Sequence, residues 1–231
     1  MRIVVLTGAG ISAESGLGTF RDKDGLWTQV DLEEVATPQG YARDPGKVHN
    51  FYNARREGLL AAEPNAAHRA LARLEEHLGD RLTLVTQNVD DLHERAGSQR
   101  IIHMHGELLS ALCTGCEHRW RWEGAMGIDD ACPACEAPGS VRPDVVWFGE
   151  MPYRMDEIYQ RIAGADLFAA IGTSGQVYPA AGLVMDAKAA GASTVEINLE
   201  RTDGSGLFES HVLGPASEAV PRWVDEILRR G

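Results

Sequence analysis

The alternation of apolar and polar positions divides the chain into short strands and amphipathic helices. Ile3-Val4-Val5-Leu6 is a continuous apolar run, which predicts a buried strand from Arg2 to Leu6. It leads into Gly8-Ala9-Gly10 and then a helical pattern. Asp44-Pro45 has the form of an N-cap followed by proline in the first turn, so a helix is predicted from Pro45 to Ala61. Pro64-Asn65 separates it from a second helix, Ala66 to Leu78. Leu82 to Thr86 and Ile101 to Met104 are β-rich, and Val145-Val146-Trp147-Phe148 reads as a strand end. Asp166 to Ile171 is an apolar strand, Pro179 to Ala190 a helix and Thr194 to Asn198 a strand. A last helix is expected over Ser217 to Arg230, kinked or restarted at Pro221. The stretch from Leu108 to Ser140 has little periodicity and holds every cysteine of the chain.

Two motifs carry chemistry on this framework. Gly8-Ala9-Gly10-Ile11-Ser12-Ala13 fits G-x-G-x-x-G/A directly after a strand, the context of a dinucleotide loop, where a following helix offers its N-terminus to phosphate. A hydride-transfer enzyme would carry an acidic residue about 20 residues on. Trp27-Thr28-Gln29 stands there instead, which weakens an NAD(P) oxidoreductase. Cys113-x-x-Cys116 and Cys132-x-x-Cys135 form two zinc knuckles. Four thiolates leave no open coordination position, so such a zinc ion is structural.

Strands alternating with helices imply a parallel sheet. The expected class is α/β, with a Rossmann-type parallel sheet domain and a smaller domain made of a helical insertion and the four-cysteine zinc module. The chain is read as a single domain, 1–231, with nucleotide-binding parts over about 1–30, 67–107 and 141–231 and small-domain parts over about 31–66 and 108–140.

Composition narrows the partners. The 231 residues carry a formal charge of −12, which argues against nucleic acid and against an anionic membrane surface. Arg119 and Arg121, interleaved with Trp120 and Trp122, would suit a nucleic-acid face, but Glu117, Glu123, Asp129 and Asp130 surround them. No apolar run approaches the roughly 18 residues of a membrane span, and the run after Met1 is too short for a signal peptide. The expectation is a cytoplasmic monomer in a reducing compartment, where cysteines serve as metal ligands.

Taken together the motifs resemble the sirtuin family. Gly8 to Gly16 with Thr19-Phe20-Arg21 resembles its NAD loop, and Thr86-Gln87-Asn88-Val89-Asp90-Asp91-Leu92-His93 its second signature. His103-Met104-His105-Gly106-Glu107-Leu108 resembles the catalytic histidine segment, and Val145-Val146-Trp147-Phe148-Gly149-Glu150 the acyl-lysine binding strand. Gly172-Thr173-Ser174 and Asn198-Leu199-Glu200 look like the remaining nucleotide segments. The resemblance covers essentially the whole chain, in order.

It implies an NAD-dependent protein lysine deacylase that consumes NAD and binds one structural zinc. Gly8, Ala9, Gly10, Ala13, Thr19, Phe20, Arg21 and Trp27 would form the loop and flap over NAD. Gln87, Asn88, Val89 and Asp90 would line the nicotinamide and ribose pocket. Gly172, Thr173, Ser174, Asn198, Leu199, Glu200 and Ala216 would contact the rest of the nucleotide. His105 would be the general base, with Asn88 and Asp90 holding the ribose and a water. His103 and the other histidines are expected in structural or surface roles. Val145, Phe148 and Gly149 would bind the substrate as an added strand. In this family the acyl oxygen attacks the ribose carbon as nicotinamide leaves, and a ribose hydroxyl then needs a base. The products are free lysine, nicotinamide and O-acyl-ADP-ribose. Gly18 stands where many relatives carry a larger residue.

Tyr52 and Arg55 share a helix face, and a phenol beside a guanidinium suits a carboxylate. The pair resembles that of sirtuins that remove succinyl groups, and Ala36 the small residue that leaves room for a longer acyl chain. The expected substrates are succinyl- and acetyl-lysine proteins. Mono-ADP-ribosyl transfer, an oxidoreductase and a non-catalytic nucleotide-binding or zinc-ribbon module remain the alternatives.

Overall fold

The computed structural model describes residues 1–18 and 31–230. Thr19, Phe20, Arg21 and Trp27 lie outside the described residues. Strand β1 (Ile3–Thr7) is buried throughout. The helical insertion holds α1 (Leu32–Val35), α2 (Pro38–Arg43) and α3 (Pro45–Ala61). The Asp44 carboxylate accepts the Lys47 N–H, capping α3 as its sequence implies. Then follow α4 (Ala66–Leu78), β2 (Leu82–Thr86), α5 (Leu92–Arg95) and β3 (Ile101–His103). Strands β4 (Gly106–Cys113), β5 (Arg119–Arg121) and β6 (Val141–Val145) come next. The chain closes with α6 (Met155–Ala163), β7 (Leu167–Ile171), α7 (Leu183–Ala189), β8 (Ser193–Asn198), β9 (Ser210–Leu213) and α8 (Ala216–Arg230).

Six strands form a parallel sheet in the order β3-β2-β1-β7-β8-β9. This is the doubly wound arrangement, and its strand order reverses between β1 and β7, where ligands bind at carboxyl ends. Leu71 and Leu74 of α4 pack with Val220 and Val224 of α8 on one face. Ile158 and Ile162 of α6 pack with Leu183 and Val184 of α7 on the other. A second, antiparallel sheet has the order β5-β4-β6, so β6 is an edge strand.

Several expectations change. The loop after β1 does not open an α-helix within the described residues. It makes two 3-10 turns, Ala9–Ile11 and Ala13–Ser15, closed by Gly16 in the left-handed region (φ 84°). The strand read at Val145 to Phe148 lies earlier, over Val141–Val145. Beyond it the Val146 N–H still follows the register, donating to His105 O (2.9 Å), and the Trp147 N–H then turns to the Glu150 carboxylate (2.8 Å), where the chain leaves the ladder. The aperiodic cysteine segment contains β4 and β5. The helix placed at Pro179 to Ala190 begins as a 3-10 turn and is α-helical only over Leu183–Ala189. Helix α8 runs through Pro221 without restarting, because the missing N–H leaves a single carbonyl, that of Ser217, without its helical donor.

Candidate functional site

The candidate residues gather at the carboxyl ends of β1, β2, β7 and β8. Glycine is required there by backbone against backbone. A Cβ on Gly8 would stand 2.8 Å from Gly172 O, and one on Gly10 2.7 Å from Gly172 Cα. Gly172 has φ +61°, and its own Cβ would stand 2.4 Å from Ile11 N. These glycines thus seat the β1 loop on the β7 loop, a role distinct from admitting phosphate. Gly172→Ala is expected to destabilise the fold by about 3 kcal/mol in urea unfolding, since both the conformation and the space oppose it.

Side chains tie the same loops together. Gln87 Nε2 donates to Thr173 Oγ1 (3.1 Å), and Asn198 Nδ2 donates to Thr173 O (2.8 Å). Ser12 is a hub that the candidate residues omitted. Its hydroxyl donates to Asp90 Oδ2 (3.0 Å) and accepts from Asn88 Nδ2 (3.1 Å). His68 Nε2 lies 3.3 Å from the same oxygen. The Asn65 N–H donates to His68 Nδ1 (3.3 Å), so the proton of this ring is on Nε2 and it donates to Ser12. Burial pushes the His68 pKa down to about 4, which keeps the ring neutral. Burial also raises the Asp90 pKa, against the hydrogen bonds from Leu92 and Ser12. Below this layer Thr7 Oγ1 donates to Thr86 Oγ1 (2.9 Å) and stands 3.1 Å from His93 Nε2. His68 and His93 are fully buried, which is the structural rather than the surface alternative for these histidines. The signal for His68 was its place three residues after the cap Asn65, where it completes a capping box.

His105 lies in the link between β3 and β4, so it joins the two sheets. Its Nδ1 is 3.1 Å from Gln87 O, an acceptor only, so Nδ1 carries the proton and Nε2 presents a lone pair. Burial lowers its pKa below 6.5, partly offset by that carbonyl. The neighbouring His103 turns the other way, with Nε2 2.6 Å from Glu94 Oε1.

The acyl-pocket candidates converge from three elements. The Phe148 N–H donates to Ala36 O (2.9 Å). Tyr52 is buried on α3, and its hydroxyl accepts the Trp147 Nε1–H (2.9 Å). The Arg55 guanidinium carbon stands 5.6 Å from the Tyr52 ring centroid, so the two do share a face, ring against cation. Val145 ends the edge strand β6, Phe148 is half exposed and Gly149 adopts φ +90°. Leu199 and Glu200 are exposed beyond β8, and Ala216 opens α8. Ala9 and Ala13 each begin a 3-10 turn, and Ser174 follows Thr173 in the loop after β7. Val89, half-buried, packs against the core of the small domain. A hollow of about 370 Å³ lined by Arg100, Arg154 and Arg161 opens beside Leu82 and Ile101 at the amino ends of β2 and β3, away from all these groups.

The four cysteine sulfurs lie within 4.8 Å of one another. Cys113 and Cys135 Sγ are 3.7 Å apart, as are Cys116 and Cys132 Sγ. Tetrahedral zinc with Zn–S bonds of ~2.3 Å separates its sulfurs by about 3.8 Å, so the set is positioned for a zinc ion. Each knuckle closes alike: the Glu117 N–H donates to Cys113 O (3.0 Å) and the Glu136 N–H to Cys132 O (2.9 Å). Both glutamates are left-handed, with φ 59° and 57°.

Comparison with known proteins agrees with this geometry. The Sir2 family matches residues 8–179. The chain belongs to the Sir2 family. It is 58% identical to an NAD-dependent protein deacylase of Caulobacter vibrioides, over 100% of this chain and 98% of that protein. The crystal structure of a Sir2 homolog–NAD complex aligns with TM-score 0.89 at 42% identity, covering 99% of this chain and 90% of that one. Sir2Af2 bound to a myristoylated histone peptide aligns with TM-score 0.77 at 34% identity, covering 99% and 92%. Among the described residues of this Sir2 protein no helix is long and apolar enough to cross a membrane.

Proposed function

We propose that this chain is an NAD-dependent protein lysine deacylase that removes succinyl and acetyl groups, with His105 as its general base. The observation that carries the reading is the His105 ring, neutral and held through Nδ1 by Gln87 O at 3.1 Å, in a chain otherwise so close to named deacylases. The residues fit NAD. Asn88 Oδ1 accepts no hydrogen bond among the described residues, although its amide is fixed on Ser12, so it remains to receive ribose hydroxyls. NAD, when bound, supplies the electrophilic ribose carbon and nicotinamide as leaving group. His105 Nε2 takes the proton from the hydroxyl that attacks next. Asn88, Asp90 and Ser12 hold position, and Gln87 with Thr173 closes the nicotinamide side. Gly8, Gly10, Gly172, Asn198, Leu199, Glu200 and Ala216 frame the nucleotide.

The substrate is an acylated protein. A peptide strand adds to the free side of β6 near Val145, beside Phe148 and Gly149. Tyr52 and Arg55 recognise the acyl carboxylate, and Ala36 leaves room for it. Burial raises the Tyr52 pKa, so the phenol stays protonated and able to donate. The zinc module is structural, and the protein acts as a monomer without nucleic acid.

The test is turnover of a succinyl-lysine peptide and its acetyl twin, with and without NAD, by nicotinamide release. Turnover of both is expected to require NAD. Arg55→Met is expected to lower succinyl kcat/KM by about tenfold or more relative to acetyl, as a charge-assisted hydrogen bond is lost. Equal loss for both peptides would remove the carboxylate role, and no nicotinamide from either would remove the deacylase reading.

A further inference from the structure

We propose that Trp147 is a positioning residue for acyl specificity: its indole N–H occupies the acceptor side of the Tyr52 hydroxyl and aims the phenolic proton at an acyl carboxylate. The inference rests on the carboxylate reading of Tyr52 and Arg55 given above.

A phenol offers one proton and two lone pairs. Trp147 Nε1 is a donor only, and at 2.9 Å it fills a lone pair of Tyr52 Oη. No other hydrogen bond to Tyr52 is present among the described residues, so none of them accepts its proton. A buried donor left unmade costs free energy, and the molecule carries this cost on the helix face that also bears Arg55. An anionic oxygen is the ligand that satisfies it. A neutral acetyl methyl does not.

The indole is itself fixed. The Arg142 guanidinium lies over its ring, 3.4 Å from the centroid, and the Tyr41 ring packs 5.2 Å away. Glu150 grips Arg142 through both oxygens, at 2.7 and 2.9 Å, and also accepts the Trp147 backbone N–H at 2.8 Å. Arg142 Nη2 donates to Val145 O (2.7 Å), which ties the stack to the end of β6. Against the burial that would raise it, the bonds from Arg142 and Trp147 hold the Glu150 carboxyl below its usual range, so the pair is ionised. Backbone, ring plane and N–H direction of Trp147 are therefore all set before substrate arrives, and the phenol inherits that direction.

The experiment compares kcat/KM for succinyl and acetyl peptides in Trp147→Phe, which keeps an aromatic ring over Arg142 and deletes the N–H. General damage affects both peptides and cancels in their ratio. The succinyl-to-acetyl ratio is expected to fall by about tenfold, mainly through the succinyl KM. In a Tyr52→Phe background the same change is expected to alter the ratio no further, because the two act as one unit. Should Trp147→Phe not fold, benzothienylalanine at position 147 removes the N–H with the bicyclic ring preserved. An unchanged ratio in either 147 variant, with Tyr52→Phe lowering it, overturns the positioning role and leaves the carboxylate reading standing. A Tyr52→Phe protein with an unchanged ratio sinks both.

Discussion

His105→Ala is expected to lower kcat/KM for both acyl peptides by about 10²- to 10⁴-fold, the range that a positioned general base contributes. The loss should appear in kcat, with the KM for NAD little moved, because the groups proposed to hold the nucleotide keep their positions when the imidazole is removed. The variant should remain folded, since the ring is only half-buried and its backbone bonds persist. The pH profile of the unaltered protein gives an independent check. The base works deprotonated, so activity is present above the pKa of His105 and lost below it. Burial places that pKa under 6.5, so the acid limb of kcat/KM should lie on the acid side of pH 6.5. A limb governed by His105 above that value, or an alanine variant with undiminished kcat, would remove the assignment.

Cys132→Ser is expected to cost both the metal and the soluble fold. The apolar cluster around the knuckles is small: Ala111, Met126 and Val141, with Trp120 and Trp122 packed against it. Such a core cannot order the long segment from β5 to β6 by burial alone. The two knuckles also hold Glu117 and Glu136 in the left-handed region, at about 1–3 kcal/mol each. A zinc–thiolate set offsets these terms, with apparent binding free energies of about 10–16 kcal/mol in small zinc domains. Metal content by mass spectrometry and thermal melting check the outcome. Strong chelation of the intact protein should reproduce the variant. A soluble, active and zinc-free Cys132→Ser protein would contradict the structural role.

The sequence made some elements plain for identifiable reasons. Helices α3 and α4 have the predicted bounds because Asp44, Pro45 and Asn65 punctuate the chain locally. The central strands were visible because parallel strands buried on both faces read as apolar runs. Strands β4, β5 and β9 escaped because they are defined by partners distant in sequence. Arg119–Arg121 is polar at nearly every position, and only pairing with Ser110 to Leu112 makes it a strand. The cysteine spacing carried the metal site outright, since ligand geometry is written into the knuckle. The nucleotide loop was recognisable, but the work of its glycines was not. That depends on Gly172, which lies far along the chain. Ser12, His68 and His93 were invisible as a network because buried polar residues look like surface ones until packing shows where their hydrogen bonds go. Tyr52 was found, but its partner Trp147 arrives from the segment after β6, beyond the reach of helical spacing.

Strand β6 also acts at a distance from the acyl group. The first residue past it, Val146, donates its N–H to His105 O, while the ring of His105 leans on the loop after β2. The proposed general base is thus anchored at its main chain beside the edge strand and at its side chain to the nucleotide sheet. In the proposed reaction, docking a peptide on that edge and removing a proton from a ribose hydroxyl would share one mechanical joint. A substitution that shifts β6 by a fraction of an ångström will reach turnover as well as affinity, even where it touches neither NAD nor the acyl chain.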